Sequence, residues 1–393
     1  MPARPEDPVL TDPPTARPRT GRAERTGRTG RTGGAREPFF DHAKLLAMVL
    51  VVCGHFWEPL VRAPGHRLLH AGYLLVYAFH MPVFVFVSGW FSRSFTARPD
   101  QLGRLLSGVL APYLLWTTLL GAYTAWLDGG RFALDLLTPV WVTWFLLSLF
   151  LWRLSAPLWH RLRAPLATAV AVSLLAGALP LTPQLSIGRT LQLLPFFVAG
   201  LVLDRRRVLA LRGHRWLRAA AAPVFGAAAL AAYWLVPRLD AAWFYRSASA
   251  AGLHAGYPRW LLVSLGINLA GAVLGAVFLA LVPVRTRSER WAALGAASMA
   301  AFLVHPFLQE ALVHGGWYEG GFLPSAAGQS ALTAAAAGLT LLLCSRPVAG
   351  PLRPLLAPRL RLLLREEPRP AGPPVRPTMI PELPSEPGRR TGG

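Results

Sequence analysis

The sequence predicts an all-α polytopic integral membrane protein, a bundle of about ten transmembrane helices with both termini cytoplasmic. Three observations carry this expectation. The chain is 53% hydrophobic and 15% charged, where a soluble domain holds roughly 25% charged residues. Its apolar residues gather in runs of about twenty, long enough to cross a hydrocarbon core about 30 Å thick. Its arginines sit in the two tails and in alternate loops between those runs, as the positive-inside rule requires. The runs lack strand-like alternation, and helices satisfy every backbone group in lipid without closing a barrel. A soluble globular enzyme, a disordered chain and a fibrous protein are excluded.

Residues 1–37 form a basic arm of Arg, Gly, Thr and Pro. With little apolar surface to bury it is expected to be disordered, and it lacks the apolar region of a signal peptide. The membrane domain, residues 38–345, holds apolar runs at 43–62, 71–91, 105–127, 137–154 and 165–181, then at 189–203, 216–236, 260–282, 291–312 and 326–344. Arginine-dense loops lie around Arg93–Arg104, Arg153–Arg163, Arg205–Arg218 and Arg285–Arg290, and these are assigned to the cytoplasm with both tails. Residues 346–365 mix leucines with arginines and can lie flat on the inner leaflet as an interfacial amphipathic segment. Residues 366–393 are Pro-rich and are expected to stay disordered.

Forty basic residues against nineteen acidic ones give a net charge of +21, and Lys44 is the single lysine. Such a charge can signal nucleic-acid binding, but topology alone accounts for where these arginines sit, so no nucleic acid is expected as a partner; the lipid bilayer is. Cys53 and Cys344 both lie in apolar runs and read as small core residues.

Ionisable groups inside a span are costly and mark function by default. The first run holds the densest set: Asp41, Lys44, His55, Glu58 and Arg62. At about 100° per residue all five fall within about 60° of Lys44, on one stripe that must face protein or a water-filled cavity. The eleven-residue step from Lys44 to His55 is a rise of about 16 Å, which puts Lys44 at the cytoplasmic edge and His55 near mid-bilayer. A cation there can hold an anionic donor while the imidazole meets its reactive end, and histidine suits proton transfer because its ordinary pKa lies near neutrality. The plainer reading has Lys44 reaching to headgroups and His55 as a satisfied core residue.

His80 lies halfway along the second run, and Ser298 leads to His305-Pro306 in the ninth, where the proline is expected to kink the helix. Either histidine alone also fits helix packing. Asn268, Gln192 and Arg189 read as interhelical hydrogen-bonding groups. Arg93, Arg98 and Arg104 on the inner side are candidates for phosphate. The chain has no Walker A loop, no dinucleotide-binding glycine motif, no paired CxxC, no HExxH and no GxSxG elbow.

Phe40-Asp41-His42-Ala43-Lys44 running to Val51-Val52-Cys53-Gly54-His55 resembles the opening helix of the membrane acyltransferase 3 family, whose hallmark is a basic residue, a ten-residue spacer and a histidine. Phe79-His80-Met81-Pro82-Val83-Phe84 through Ser88-Gly89 is similar to the second-helix signature of the fucose 4-O-acetylase-like branch. Pro112-Tyr113, Trp144-Phe145-Leu146, Pro195-Phe196-Phe197 to Gly200, and Ser298 to His305 follow in the family's order. The likeness spans about 38–345.

The resemblance implies a ten-helix bundle that moves an acyl group from cytoplasmic acyl-CoA, acetyl-CoA or another short acyl-CoA, to a hydroxyl of a sugar, surface glycan or natural product. It implies a multi-pass protein of the bacterial inner (plasma) membrane, and no metal is expected. The family's catalytic histidine maps onto His55 and its basic partner onto Lys44. Lys44 with Arg93, Arg98 and Arg104 is expected to hold the donor's phosphates, although these arginines do not reproduce the Arg-x-x-Arg spacing of some members. Glu58 or Asp41 is expected to fix the tautomer of His55, and His80 and His305 to bind the acceptor. The competing readings are a proton-coupled transporter or glycan flippase, and a scaffold whose polar stripe only packs helices.

Overall fold

Residues 38–211, 214–283 and 289–358 are described by a computed structural model. They form one unit of packed helices, with no strand among the described residues. The terminal segments 1–37 and 366–393, expected to be disordered, lie outside these residues.

Each apolar run carries a helix. α1 (Pro38–Arg62), α2 (Arg67–Phe91), α3 (Pro99–Leu127) and α4 (Trp141–Trp159) are long and apolar enough to cross a membrane. α5 (Pro165–Ala178) is shorter. α6 (Gln184–Gln192) and α7 (Leu194–Val202) form a pair bent by 60°. α8 (Ala221–Leu235) is again short, and α9 (Tyr257–Leu281) is long. α10 (Arg290–Ala296) and α11 (Ser298–His314) form a second pair bent by 59°, and α12 (Ala326–Leu343) completes the set. By length and composition six helices can span, or eight if each bent pair is one span. The ten spans expected from the sequence are thus ten helical runs, two of them broken and two short.

The irregularities have local causes. Pro112 has no N–H for the Gly108 carbonyl, and α3 relaxes there into a π turn at Leu106–Leu110. Pro195 likewise removes the donor for Leu191, and the chain bends at Leu193. Neighbours satisfy the carbonyls at this break: Trp152 Nε1 donates to Thr190 O at 2.9 Å and Ser173 Oγ to Gln192 O at 2.9 Å, as a broken helix at membrane depth requires. The kink expected at Pro306 falls elsewhere. α11 runs through Pro306, and the bend lies nine residues earlier at Ala297, just past Gly295. A Cβ on Gly295 would stand 1.9 Å from the Asp41 carbonyl, so close approach to α1 rather than the proline sets the turn.

α2 and α7 meet through two glycines. A Cβ on Gly89 would lie 2.0 Å from the Phe197 carbonyl, and one on Gly200 2.0 Å from the Phe86 carbonyl. This is the small-residue contact by which helices pack where lipid offers no hydrophobic drive. The outward leucines of α9, Leu262 and Leu269, are exposed, as on a helix that meets lipid.

The segments that follow α1, α3 and α11 gather at one end of the bundle. Tyr318 OH donates to Phe56 O at 3.0 Å, His314 Nε2 lies 2.8 Å from Asp128 Oδ1, and Gln329 Nε2 donates to His66 Nδ1 at 3.0 Å. The segment expected to be interfacial begins as a helix, α13 (Arg346–Leu356), whose Leu355 carbonyl accepts from Trp116 Nε1 at 3.1 Å. Its remainder, 359–365, lies outside the described residues.

Candidate active site

The stripe on α1 divides by depth. At its start Lys44 Nζ pairs with Asp41 Oδ1 at 2.8 Å and lies over the Phe91 ring, 5.2 Å from its centroid. At its far end Arg62 pairs with Glu58. Between them His55 and Glu58 enter the wall of a cavity of about 980 Å³, its open mouth included. α2 contributes Tyr77 and His80, the first turn of α4 contributes Trp141, α6 contributes Arg189, and α9 contributes Asn268. Tyr245 and Arg246 come from the short helix Ala242–Tyr245 and the residue after it.

His55 Nδ1 lies 2.8 Å from His305 Nε2, with the two rings stacked 5° from parallel. His305 Nδ1 lies 2.7 Å from the Ala301 carbonyl, one turn back on α11. A carbonyl only accepts, so His305 Nδ1 carries the proton. In the neutral ring Nε2 is then an acceptor, and His55 Nδ1–H must donate to it. The chain of bonds leaves His55 Nε2 as the ring's lone pair, in a side chain that lines the cavity. Trp141 closes over the pair, 5.0 Å from the His55 ring and 6.1 Å from that of His305, on a backbone with φ +44.

This corrects one expectation. The partner that fixes the His55 tautomer is His305, not Glu58 or Asp41. Glu58 is committed to Arg62, and Asp41 lies fourteen residues back, about 21 Å along the helix. His305 is correspondingly not in the cavity wall: it is fully buried behind His55. His80 does line the cavity, its Nδ1 donating to Val76 O at 2.8 Å, which leaves Nε2 to accept.

Much of the remaining wall is apolar, Phe145, Phe196, Phe244 and Phe302 among it, and the other polar side chains in it are tied to neighbours. Tyr73 and Tyr245 share a hydroxyl–hydroxyl bond of 2.9 Å, and burial pushes the Tyr245 phenol up, so it stays a donor near neutral pH. Arg189 Nε donates to the Tyr245 carbonyl at 3.2 Å, and its guanidinium lies 5.0 Å from the Trp144 ring centroid. Arg246 donates to Asn268 Oδ1 at 3.1 Å. Arg189 and Asn268 are therefore walls of the cavity as well as the interhelical bonding groups they resemble in sequence. Gln192 bonds outside it, to the Ala248 carbonyl.

A second cleft, of about 560 Å³, lies at the Lys44 end. Phe91, the ring under Lys44, shares its wall with Ser92, Gln101, Arg104 and Arg153. Of the three arginines expected there, Arg104 lines it and pairs with Asp100 at 2.7 Å. Arg98 also turns to Asp100, at 3.5 Å. Arg93 packs on Trp90 and donates to the Gly200 and Leu203 carbonyls, where its charge closes the C-terminal end of α7. Arg153, with Nε 3.2 Å from Ser92 Oγ, takes the place expected of Arg93 and Arg98 in the cleft. Its position in an arginine-dense stretch of sequence made it look like a topology marker.

Comparison with known proteins bears on this arrangement. A family model described as an acyltransferase domain, acyltransferase 3, matches residues 37–345. The nodulation protein NolL of Sinorhizobium fredii (strain NBRC 101917 / NGR234) is 26% identical over 183 residues, 42% of this chain and 48% of that protein. The chain thus spans about half the length of this curated relative. No solved structure matches.

Proposed function

The chain belongs to the acyltransferase 3 family, and we propose that it is a multi-pass O-acyltransferase of the bacterial inner membrane, of the fucose 4-O-acetylase-like branch. It moves a short acyl group, acetyl first among them, from acyl-CoA to a hydroxyl of a sugar, surface glycan or natural product. The observation that carries this reading is the Ala301–His305–His55 chain of hydrogen bonds, which presents an unprotonated nitrogen to the cavity.

The donor's phosphates are held at the Lys44 end by Lys44, Arg104 and Arg153, and its thioester extends along α1 toward His55. The acceptor enters the cavity from the other end, beside His80. His55 Nε2 takes the acceptor's hydroxyl proton as the oxygen attacks the thioester carbonyl. The C–O bond forms, the C–S bond breaks, and the departing thiolate recovers the proton from His55. Positive charge on His55 during the step is shared with His305 through the Nδ1–H bond, and Tyr77 and Tyr245 supply hydroxyl donors in the same wall.

The test uses the full chain in detergent with radiolabelled acetyl-CoA and pooled cell-envelope saccharides. Label should pass to the saccharide fraction with wild-type protein and fall by about 10²–10⁴-fold with His55→Ala, the usual worth of a general base. Equal transfer by a folded His55→Ala protein overturns the proposal.

A further inference from the structure

We propose that Arg189 and Arg246 form an anion-binding subsite in the His55 cavity, so that the acceptor is a hydroxylated molecule bearing a carboxylate or a phosphate. The subsite stands on the protein's own geometry; that its ligand is the acceptor rests on the acyltransferase reading.

Two guanidinium groups share this cavity wall. Among the described residues neither forms an ion pair, and the carboxylate in the wall, Glu58, is already paired with Arg62. Arg246 is 5% exposed, and its Nε is buried without a hydrogen-bond partner among the described residues. A guanidinium has five N–H donors. Among the described residues Arg246 gives one bond, to Asn268, and Arg189 gives one, to the Tyr245 carbonyl. A buried cation left unpaired is strongly unfavourable, and a planar fork with open donors matches a carboxylate or phosphate in two-pronged fashion.

The placement chooses the ligand. Donor phosphates have their own cationic cleft at the Lys44 end, with Arg104 and Arg153. The second pair of cations lies with His55 and His80, where an acceptor must sit to offer its hydroxyl to Nε2. Asn268 and the Tyr245 carbonyl hold the two arginines in place, so an anion bound there aims the rest of the molecule at His55. A neutral polyol would leave the buried Arg246 charge uncompensated.

Isothermal titration of the full chain in detergent with glucuronate, glucose 6-phosphate and glucose tests this. At least one anion should bind ten-fold or more tightly than glucose. Arg246→Gln should reduce that anion to the level of glucose, and Arg246→Lys should keep part of the preference. A glucuronate preference identifies a carboxylate ligand and a glucose 6-phosphate preference a phosphate. Should Arg246→Gln not fold, Arg189→Gln is read in the same way. No preference in the wild type, or a full preference in the glutamine variant, overturns the subsite. Anion preference that survives while His55→Ala leaves label transfer unchanged would instead overturn the acyltransferase reading and keep the subsite.

Discussion

A histidine that donates from Nδ1 has only Nε2 left to accept a proton, and the group that receives the His55 Nδ1–H here is His305. Two variants separate this positioning role from simple packing. His305→Ala removes the acceptor and frees the His55 ring to turn, so kcat should fall by about 10–100-fold with little change in the KM for acetyl-CoA. His305→Gln offers a carbonyl oxygen to the same Nδ1–H and should recover part of that loss. Steady-state release of free CoA measures both, and equal rates for the two variants would speak against an oriented hydrogen bond. The sequence made His55 legible through its spacing from Lys44 on one helix face. It did not reveal the bond to His305, because 250 positions separate the pair and no periodicity spans such a gap. Arg246 was hidden for a related reason: it lies between the apolar runs 216–236 and 260–282, and only the fold turns it into the cavity.

At the scale of elements, the α2–α7 contact holds together two helices that both line the cavity. Gly89 and Gly200 let the two backbones touch, and a side chain at either must push against a carbonyl 2.0 Å away. Overpacking costs about 1–3 kcal/mol, so Gly200→Val should lower the melting temperature in detergent by several degrees. Gly266→Val, where nothing lies within 4 Å of an added Cβ, should not; thermal unfolding of the two side by side is the measurement. Helix positions were readable because apolar runs of membrane length leave few other structures open. The broken pairs were less so. The run 189–203 reads as one span although Pro195 breaks it, and Pro306, where a kink is expected, lies inside an unbroken helix while the bend falls at Ala297. A proline removes one hydrogen bond, and whether the helix bends there depends on neighbours that sequence does not name.

For the whole molecule, α1 links two cavities of different chemistry, a cationic cleft beside Lys44 and a chamber around His55 that sets a few polar groups among apolar ones. This division predicts separable kinetics. Arg153→Gln should raise the KM for acetyl-CoA several-fold and leave the KM for the acceptor alone, whereas Arg246→Gln should do the reverse. Initial rates against each substrate in turn check the split, and a shift of both constants by one variant would argue for a single shared site. In the proposed acyl transfer His55 and His305 act as one unit. The most direct test is a double-mutant cycle on kcat with His55→Ala, His305→Ala and the combined variant, each confirmed to be folded. Groups that act together lose their effect together, so the combined variant should be no slower than His55→Ala alone. Two losses that multiply would contradict the account and place the histidines in independent roles.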